Sequence, residues 1–246
     1  MSFINKFSIS TKKYGLLLVF LLISTSVGTC NEKGLLIVGA GLPASGKSSV
    51  MKELGKLLMT ENVFLEPEEK TWPQELINPL TFQSFNIITW LRAQRVSMLA
   101  MGGKLRDHGE VVVVDSYYDK ILSFYLGKED HFWLMKPDNV YFNALKEIAE
   151  LDTKILPNAD YIIFFKVDKN TWVHFLKKRN RINDENLELV EFFEAQESIL
   201  DAVKLICHKT GSKMILIEQK IDTSPREAAK KIKELIETDT LHMPFF

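Results

Sequence analysis

The chain has 246 residues, of which 46% are hydrophobic and 26% are charged, so it is long enough to bury a core and has an ordinary globular composition. Its 31 lysines and arginines nearly balance its 32 aspartates and glutamates, which leaves a net charge of -1. This balance provides no broad basic surface, so we expect no nucleic-acid partner. The two cysteines and five scattered histidines predict neither a disulfide scaffold nor a zinc site.

The first 31 residues contain no acidic residue, unlike the rest of the chain. Three lysines precede an apolar run over 15–23 that is too short to span a bilayer comfortably. The pattern is typical of a secretory signal, but a mitochondrial presequence and a plain N-terminal extension are equally open interpretations. In each of them residues 1–32 lie outside the fold, which predicts one domain over residues 33–246.

Beyond this segment, short apolar runs alternate with longer helical patterns. The runs are Leu35–Val38, Asn62–Leu65, Val111–Val114, Tyr161–Phe165 and Met214–Ile217. The last four lack polar alternation, as expected of strands buried on both faces of a parallel sheet. Helical patterns cover about 47–59, 80–104, 117–126, 138–152, 169–180, 186–209 and 224–237. The alternation predicts an α/β fold with a five-stranded parallel sheet and helices on both faces.

A glycine-rich loop follows the first predicted strand and precedes a predicted helix. It reads G-x-x-x-x-G-K-S, the pattern of a phosphate loop, and that strand–loop–helix order is the context the motif requires. The loop therefore predicts nucleoside triphosphate binding: its backbone N–H groups would surround the phosphates, Lys47 would lie along the β- and γ-phosphates, and Ser48 would hold Mg²⁺. The predicted nucleotide-binding residues are Gly41, Leu42, Pro43, Ala44, Ser45, Gly46, Lys47 and Ser48.

Two segments after the second strand carry candidate substrate contacts. Glu66 lies at the carboxyl end of that strand, where a carboxylate can accept a proton from an acceptor hydroxyl. Gln83 can donate hydrogen bonds to a base edge and accept hydrogen bonds from it, and Arg92 follows on the same predicted helix.

The sequence has no N-K-x-D motif, so a GTPase is not expected.

Glu66-Pro-x-x-x-x-Trp, Phe82-Gln83-Ser84-Phe85 and Arg92-Ala93-Gln94 together resemble the deoxynucleoside kinases. The resemblance implies that Glu66 is the base that deprotonates the 5′-hydroxyl and that Gln83 reads the nucleobase. The spacing from Glu66 to Gln83 is shorter than is usual in that family.

Asp115 follows the third predicted strand, in Asp115-Ser116-Tyr117-Tyr118-Asp119. A carboxylate at this place can hold Mg²⁺ through water. The stretch resembles the thymidylate kinases. In these and in the deoxynucleoside kinases an arginine follows the acid and normally touches substrate or phosphate. Here that place is taken by Ser116, and Lys120, Arg92 or Arg95 could supply the missing cation. We expect Arg92 and Tyr117, with Gln83, to bind the substrate.

A basic cluster, Lys177-Lys178-Arg179-Asn180-Arg181, ends one predicted helix before the next begins. Its position corresponds to the lid of these kinases, which implies that Arg179 and Arg181 close on the transferred phosphoryl group. The sequence thus predicts a three-layer P-loop NTPase fold with a lid.

Three functions stay open at this stage. The favoured one is an ATP-dependent kinase acting on the 5′-hydroxyl of a (deoxy)nucleoside, with Mg²⁺ as cofactor. The others are a nucleoside monophosphate kinase of thymidylate type and a nucleotide-binding regulatory protein with impaired catalysis. We expect a small-molecule nucleoside or nucleotide as partner and allow for a homodimer. The need for ATP favours the cytoplasm or mitochondria, despite the signal-like N-terminus.

Overall fold

Five strands form one fully parallel sheet in the computed structural model, which describes residues 34–77, 84–179 and 189–241. The strand order is β2-β3-β1-β4-β5, so the first strand lies at the centre. The strands are β1 Leu35–Gly41, β2 Val63–Phe64, β3 Val111–Val114, β4 Tyr161–Val167 and β5 Lys213–Gln219. The predicted parallel sheet is confirmed, whereas the predicted segment 1–32 lies outside the described residues.

Eight helices surround the sheet within the described ranges. They are α1 Lys47–Leu57, α2 Gln74–Ile77, α3 Ser84–Asp107, α4 Tyr118–Ile121, α5 Phe142–Ile155, α6 Lys169–Arg179, α7 Leu189–Thr210 and α8 Pro225–Leu241. Short 3-10 turns occupy Glu69–Thr71, Leu122–Phe124 and Glu129–His131. None of the helices in the described part of the chain combines the length and apolar character needed to cross a membrane.

The central strand β1 is buried on both faces because its side chains alternate between two cores. Leu36 and Val38 face the core beneath α3, α5 and α7, whereas Ile37 faces the core beneath α1 and α8. All three are fully buried. The Leu36 backbone N–H also donates to Asp160 Oδ2 over 2.8 Å, although the two residues are 124 positions apart. Contacts distant in sequence therefore hold the centre of the sheet.

The stretch 117–126, predicted as one helix, is interrupted. Helix α4 ends at Ile121, and a 3-10 turn follows it. The carbonyl oxygen of Lys120 accepts a hydrogen bond of 2.9 Å from Thr153 Oγ1 on α5. That side-chain hydroxyl competes with the backbone N–H groups that would continue the helix.

Helix α8 begins where the sequence indicates. Ser224 and Glu227 form a capping box, in which the Ser224 backbone N–H donates to Glu227 Oε2 and the Glu227 N–H donates to Ser224 Oγ. Pro225 occupies the first helical position, where its missing N–H costs no hydrogen bond. Helix α8 packs against α1, the helix that follows the glycine-rich loop, so the last helix supports that loop from behind.

Candidate active site

The glycine-rich loop connects β1 directly to α1, and its conformation depends on its two glycines. Gly41 has φ of 138° and Gly46 has φ of 83°. A Cβ atom on Gly41 would lie 2.6 Å from the carbonyl oxygen of Phe165, so a side chain there would clash with β4. Ala44, with φ of 62°, is also left-handed. The loop lies at the amino end of α1, where helix N–H groups and the helix dipole favour an anion.

Lys47, the first residue of α1, extends along the loop rather than into solvent. Its Nζ donates to the carbonyl oxygens of Gly41 and Leu42 over 3.3 and 2.9 Å, and to the Tyr118 hydroxyl over 2.9 Å. Burial, followed by the charge of Glu66, raises the pKa of Tyr118 well above its usual range. The Tyr118 hydroxyl thus stays protonated and donates to the Gly41 carbonyl.

Ser48 and Asp115 meet between α1 and β3. Ser48 Oγ donates to Asp115 Oδ2 over 2.6 Å, and Asp115 Oδ1 is buried without a hydrogen-bond partner in the described structure. Burial raises the pKa of Asp115, the charge of Glu66 raises it further, and Lys47 and Ser48 oppose the shift. An unpaired, buried carboxylate oxygen beside a serine hydroxyl is a donor set that fits Mg²⁺.

No cluster of three or more histidine, cysteine or acidic side chains suited to a metal ion occurs in ranges 34–77, 84–179 and 189–241. Mg²⁺ commonly keeps several waters and binds one or two protein groups together with substrate phosphates. The pair Ser48 and Asp115 is consistent with Mg²⁺ that arrives with a nucleotide.

Glu66 follows β2 and lies beside a buried network of charges. Its Oε1 is 3.7 Å from Arg95 Nη1, and Arg95 makes two hydrogen bonds of 2.8 and 3.1 Å to the carboxylate of Asp119. Burial alone would lower the pKa of Arg95, but the charges of Asp119 and Glu66 outweigh burial and raise it. Arg95 therefore places a permanent positive charge next to Glu66.

The phosphate loop and Glu66 line one cavity of about 580 Å³. Residues from α6 and from the end of β5 line its loop side, including Phe175, Lys178, Arg179 and Gln219. Ser45 Oγ and Gln219 Nε2, among the described side chains, are buried there without hydrogen-bond partners. The other lining side chains include a mostly apolar and aromatic set, here called the aromatic end: Trp72, Ile88, Leu91, Leu122, Tyr125, His131, Trp133, Leu134 and Ile199.

The predicted contact Arg92 does not reach this cavity. Its guanidinium makes two hydrogen bonds of 2.5 and 2.6 Å to the buried carboxylate of Asp152 on α5. The cation of α3 that lines the cavity is Arg95, three residues later. Lys120 does not line it either, because its buried Nζ donates to the Leu156 carbonyl. Of the three cations considered for the missing arginine, Arg95 is thus the one at the site.

Tyr117, which the sequence predicts as a substrate contact, does not line the cavity. Tyr117 is fully buried, its hydroxyl donates to the Pro157 carbonyl over 3.3 Å, and the Ala159 N–H donates to it over 3.1 Å. The adjacent Tyr118 lines the cavity instead. Ser116 is also buried, and its Oγ has no hydrogen-bond partner within the described structure.

The structure brings together Lys47, Ser48, Asp115 and Glu66, and it places Arg179 on the cavity wall. Gln83 and Arg181 lie outside the described residues. Sequence reasoning named Arg95 only as one of three alternative cations, and it missed Tyr118 and the aromatic end, including His131 and Trp133. The sequence pointed to the segments R-A-Q-R and D-S-Y-Y-D. It did not reveal which arginine of the first segment and which tyrosine of the second line the cavity.

A parallel sheet of order β2-β3-β1-β4-β5, covered by helices on both faces and carrying the phosphate loop after β1, is the three-layer α/β fold of the P-loop kinases. The chain is structurally similar to deoxyadenosine kinase from M. mycoides, solved with the products dCMP and a flexible dCDP bound, with a TM-score of 0.62 and 18% identity. The match covers 82% of this chain and 98% of that kinase.

A second similar structure is thymidylate kinase from Candida albicans, with a TM-score of 0.54 and 19% identity over 86% of this chain and 94% of that enzyme. No protein-family profile and no curated protein matches the sequence. At these identities the likeness establishes the fold, and the activity has to be argued from the site.

Proposed function

We propose that this protein is an ATP-dependent kinase that phosphorylates the 5′-hydroxyl of a (deoxy)nucleoside. The observation that carries the proposal is the placement of Glu66 in the same cavity as the phosphate loop, next to an apolar, aromatic end suited to a flat base. The fold shared with a deoxyadenosine kinase and a thymidylate kinase supports the same class of reaction.

Glu66 is the proposed general base. The acceptor 5′-oxygen attacks the γ-phosphorus of ATP, its proton passes to the Glu66 carboxylate, and the bond from the γ-phosphorus to the β–γ bridging oxygen breaks to release ADP. Arg95 Nη1 lies 3.7 Å from Glu66 Oε1, which is close enough for an ion pair but not for a hydrogen bond.

Charge neutralisation falls to groups around the phosphate loop. Lys47 would exchange its contacts with the Gly41 and Leu42 carbonyls for phosphate oxygens. Mg²⁺, held through Ser48 and Asp115, would neutralise charge on the transferred phosphoryl group. Arg179 and Lys178, which line the cavity at the end of α6, add positive charge from the lid side.

The test is an acceptor panel with the full chain and Mg·ATP, in which nucleosides and nucleoside monophosphates are compared by ADP release. If a nucleoside is the acceptor, we expect Glu66→Gln to lower kcat by about 10²–10⁴-fold because the amide cannot accept the proton. The matched control is Glu68→Gln, since Glu68 is 71% exposed. A full rate in Glu66→Gln would remove the base assignment.

Arg95 favours one second candidate, a nucleoside monophosphate kinase of thymidylate type. A buried guanidinium in the cavity could contact an acceptor phosphate, and such an acceptor needs no general base. This alternative predicts turnover with monophosphates alone and a small effect of Glu66→Gln. If no acceptor is phosphorylated although ATP binds, the chain is better described as a nucleotide-binding regulatory protein.

A further inference from the structure

One nitrogen at the aromatic end of the cavity lacks a hydrogen-bond partner. His131 is 0% exposed, it lines the cavity, and its Nε2 has no partner within the described structure. Buried polar side-chain atoms are nearly always hydrogen-bonded, so such an atom on a cavity wall calls for a ligand atom opposite it.

The other side-chain nitrogens at the aromatic end already have hydrogen-bond partners within the protein. The indole N–H of Trp133 donates to the Asp130 carbonyl over 3.0 Å, and that of Trp72 donates to the Pro67 carbonyl over 3.1 Å. These two tryptophans therefore contribute apolar surface to the aromatic end. His131 Nε2 contributes polarity there.

The chemical character of Nε2 follows from the other side of the ring. His131 Nδ1 lies 3.1 Å from Asp130 Oδ1, and Ser198 Oγ donates to Asp130 Oδ2. A carboxylate only accepts hydrogen bonds, so Nδ1 carries the hydrogen and Nε2 of the neutral ring presents a lone pair. Burial lowers the pKa of His131, despite the opposing charge of Asp130, and so favours the neutral ring.

The ring is also fixed in orientation. Its centroid lies 4.4 Å from that of Tyr125 and 6.0 Å from that of Trp133. A half-turn of the imidazole would exchange Nδ1 with Cδ2 and Nε2 with Cε1, so it would break the contact between Nδ1 and Asp130. The acceptor atom therefore keeps a constant position on the cavity wall.

We propose that His131 Nε2 is a specificity-determining acceptor, which hydrogen-bonds an N–H donor on the base of the phosphoryl acceptor, either a ring N–H or an exocyclic amino group. The inference rests on the proposed function, because it assigns the aromatic end to the acceptor base. It adds a recognition group that is separate from Glu66 and the phosphate loop.

The test compares each base with an analogue that lacks the donor, for example deoxyadenosine with purine 2′-deoxyriboside, or thymidine with its 2,4-difluorotoluene isostere. Nucleosides and their 5′-monophosphates are both measured, by kcat/KM and by binding without ATP, followed through tryptophan fluorescence. We expect the full chain to prefer at least one parent base by about 10–100-fold, because its analogue leaves Nε2 buried and unpaired.

In His131→Phe, that preference should fall close to one, whereas a purely structural role would weaken parent and analogue equally. His208→Phe, on the exposed side of α7, is the matched control and should keep the full preference. If His131→Phe fails to fold, Asp130→Asn takes its place: the asparagine can donate to Nδ1, which moves the hydrogen to Nε2 and reverses the preference.

Outcomes for this inference and for the proposed function are separable. Turnover with an unchanged preference in the variants would overturn the role of His131 and leave the kinase in place. Discriminating binding without turnover would support His131 and refute the kinase. No discrimination by the unmodified chain, or no binding of any nucleoside or monophosphate, would overturn the inference.

Discussion

At the scale of single residues, the site depends on which arginine of α3 faces which acid. Arg92 pairs with Asp152 and Arg95 pairs with Asp119, and both carboxylates are buried. The two pairs are chemically alike, and their arginines lie three residues apart on α3. Only Arg95 also lies near Glu66 and lines the cavity. We therefore expect these similar ion pairs to have different consequences for activity.

This difference gives a prediction for two double variants. Arg95→Met leaves the Asp119 carboxylate buried and unpaired, which should lower the free energy of unfolding by about 3–5 kcal/mol. Adding Asp119→Leu should restore most of that stability, because it removes the uncompensated charge. Activity should stay at least about 10²-fold low, since the guanidinium next to Glu66 is missing. Urea unfolding and ADP release measure the two effects.

The matched control is Arg92→Met with Asp152→Leu, which removes the equivalent pair outside the cavity. It should retain its activity once folded. If it loses as much activity as the Arg95 double variant, the substrate role that the sequence suggested for Arg92 would be correct after all.

At the scale of elements, the strand–loop–helix unit β1–α1 depends on left-handed glycines. Gly46 and Gly211 share this backbone conformation, with φ of 83° and 75°. Gly46 lies in the phosphate loop, whereas Gly211 precedes β5, where an added Cβ would meet no atom within 4 Å. Substitutions at these two positions therefore distinguish the cost of backbone strain from the loss of a phosphate-binding loop.

We expect Gly46→Ala and Gly211→Ala to destabilise the fold by similar amounts, about 1–2 kcal/mol each, because an L-residue is strained in the left-handed region. Only Gly46→Ala should weaken ATP binding, because it distorts the loop whose N–H groups would hold the phosphates. Calorimetric titration with ATP and thermal unfolding check the prediction. Equal ATP affinity in both variants would contradict it.

The elements were predictable where local pattern determines them. Uninterrupted apolar runs predicted the strands, and Ser224 with Glu227 predicted the start of α8, because both signals depend on nearby residues. The break after Ile121 was not predictable, since it depends on Thr153 from another helix. Tyr118 lines the cavity and Tyr117 does not, because Tyr117 packs against residues 157–159. The residues next to Tyr117 in sequence do not reveal this packing.

At the scale of the whole molecule, we expect stability and ligand binding to oppose each other at Asp115. Its pKa is raised mainly by burial, so ionisation costs the folded state more than the unfolded chain. That cost develops as pH rises from the ordinary carboxyl pKa to the raised one, and it persists at neutral pH. A bound cation would offset the cost, because it compensates the buried charge.

We therefore expect Asp115→Asn to raise the thermal midpoint of the protein without added ligand at pH 7, since the amide is neutral. Saturating Mg·ATP should stabilise the unmodified chain, by about 2.7 kcal/mol at 100 times Kd, and should stabilise the variant much less. Thermal melts with ATP, with or without Mg²⁺ and EDTA, measure this. A variant that keeps the full shift with Mg·ATP would refute a metal role for Asp115.

The central position of β1 also affects how the protein folds during synthesis. β1 pairs with β3 and β4, which emerge from the ribosome much later, and α1 packs against α8, the last helix of the described chain. Contacts so distant in sequence close slowly because the intervening loop entropy must first be overcome. The glycine-rich loop acquires this support only after α8 has been translated. A nascent chain stalled before α8 would therefore present this loop without its supporting helix.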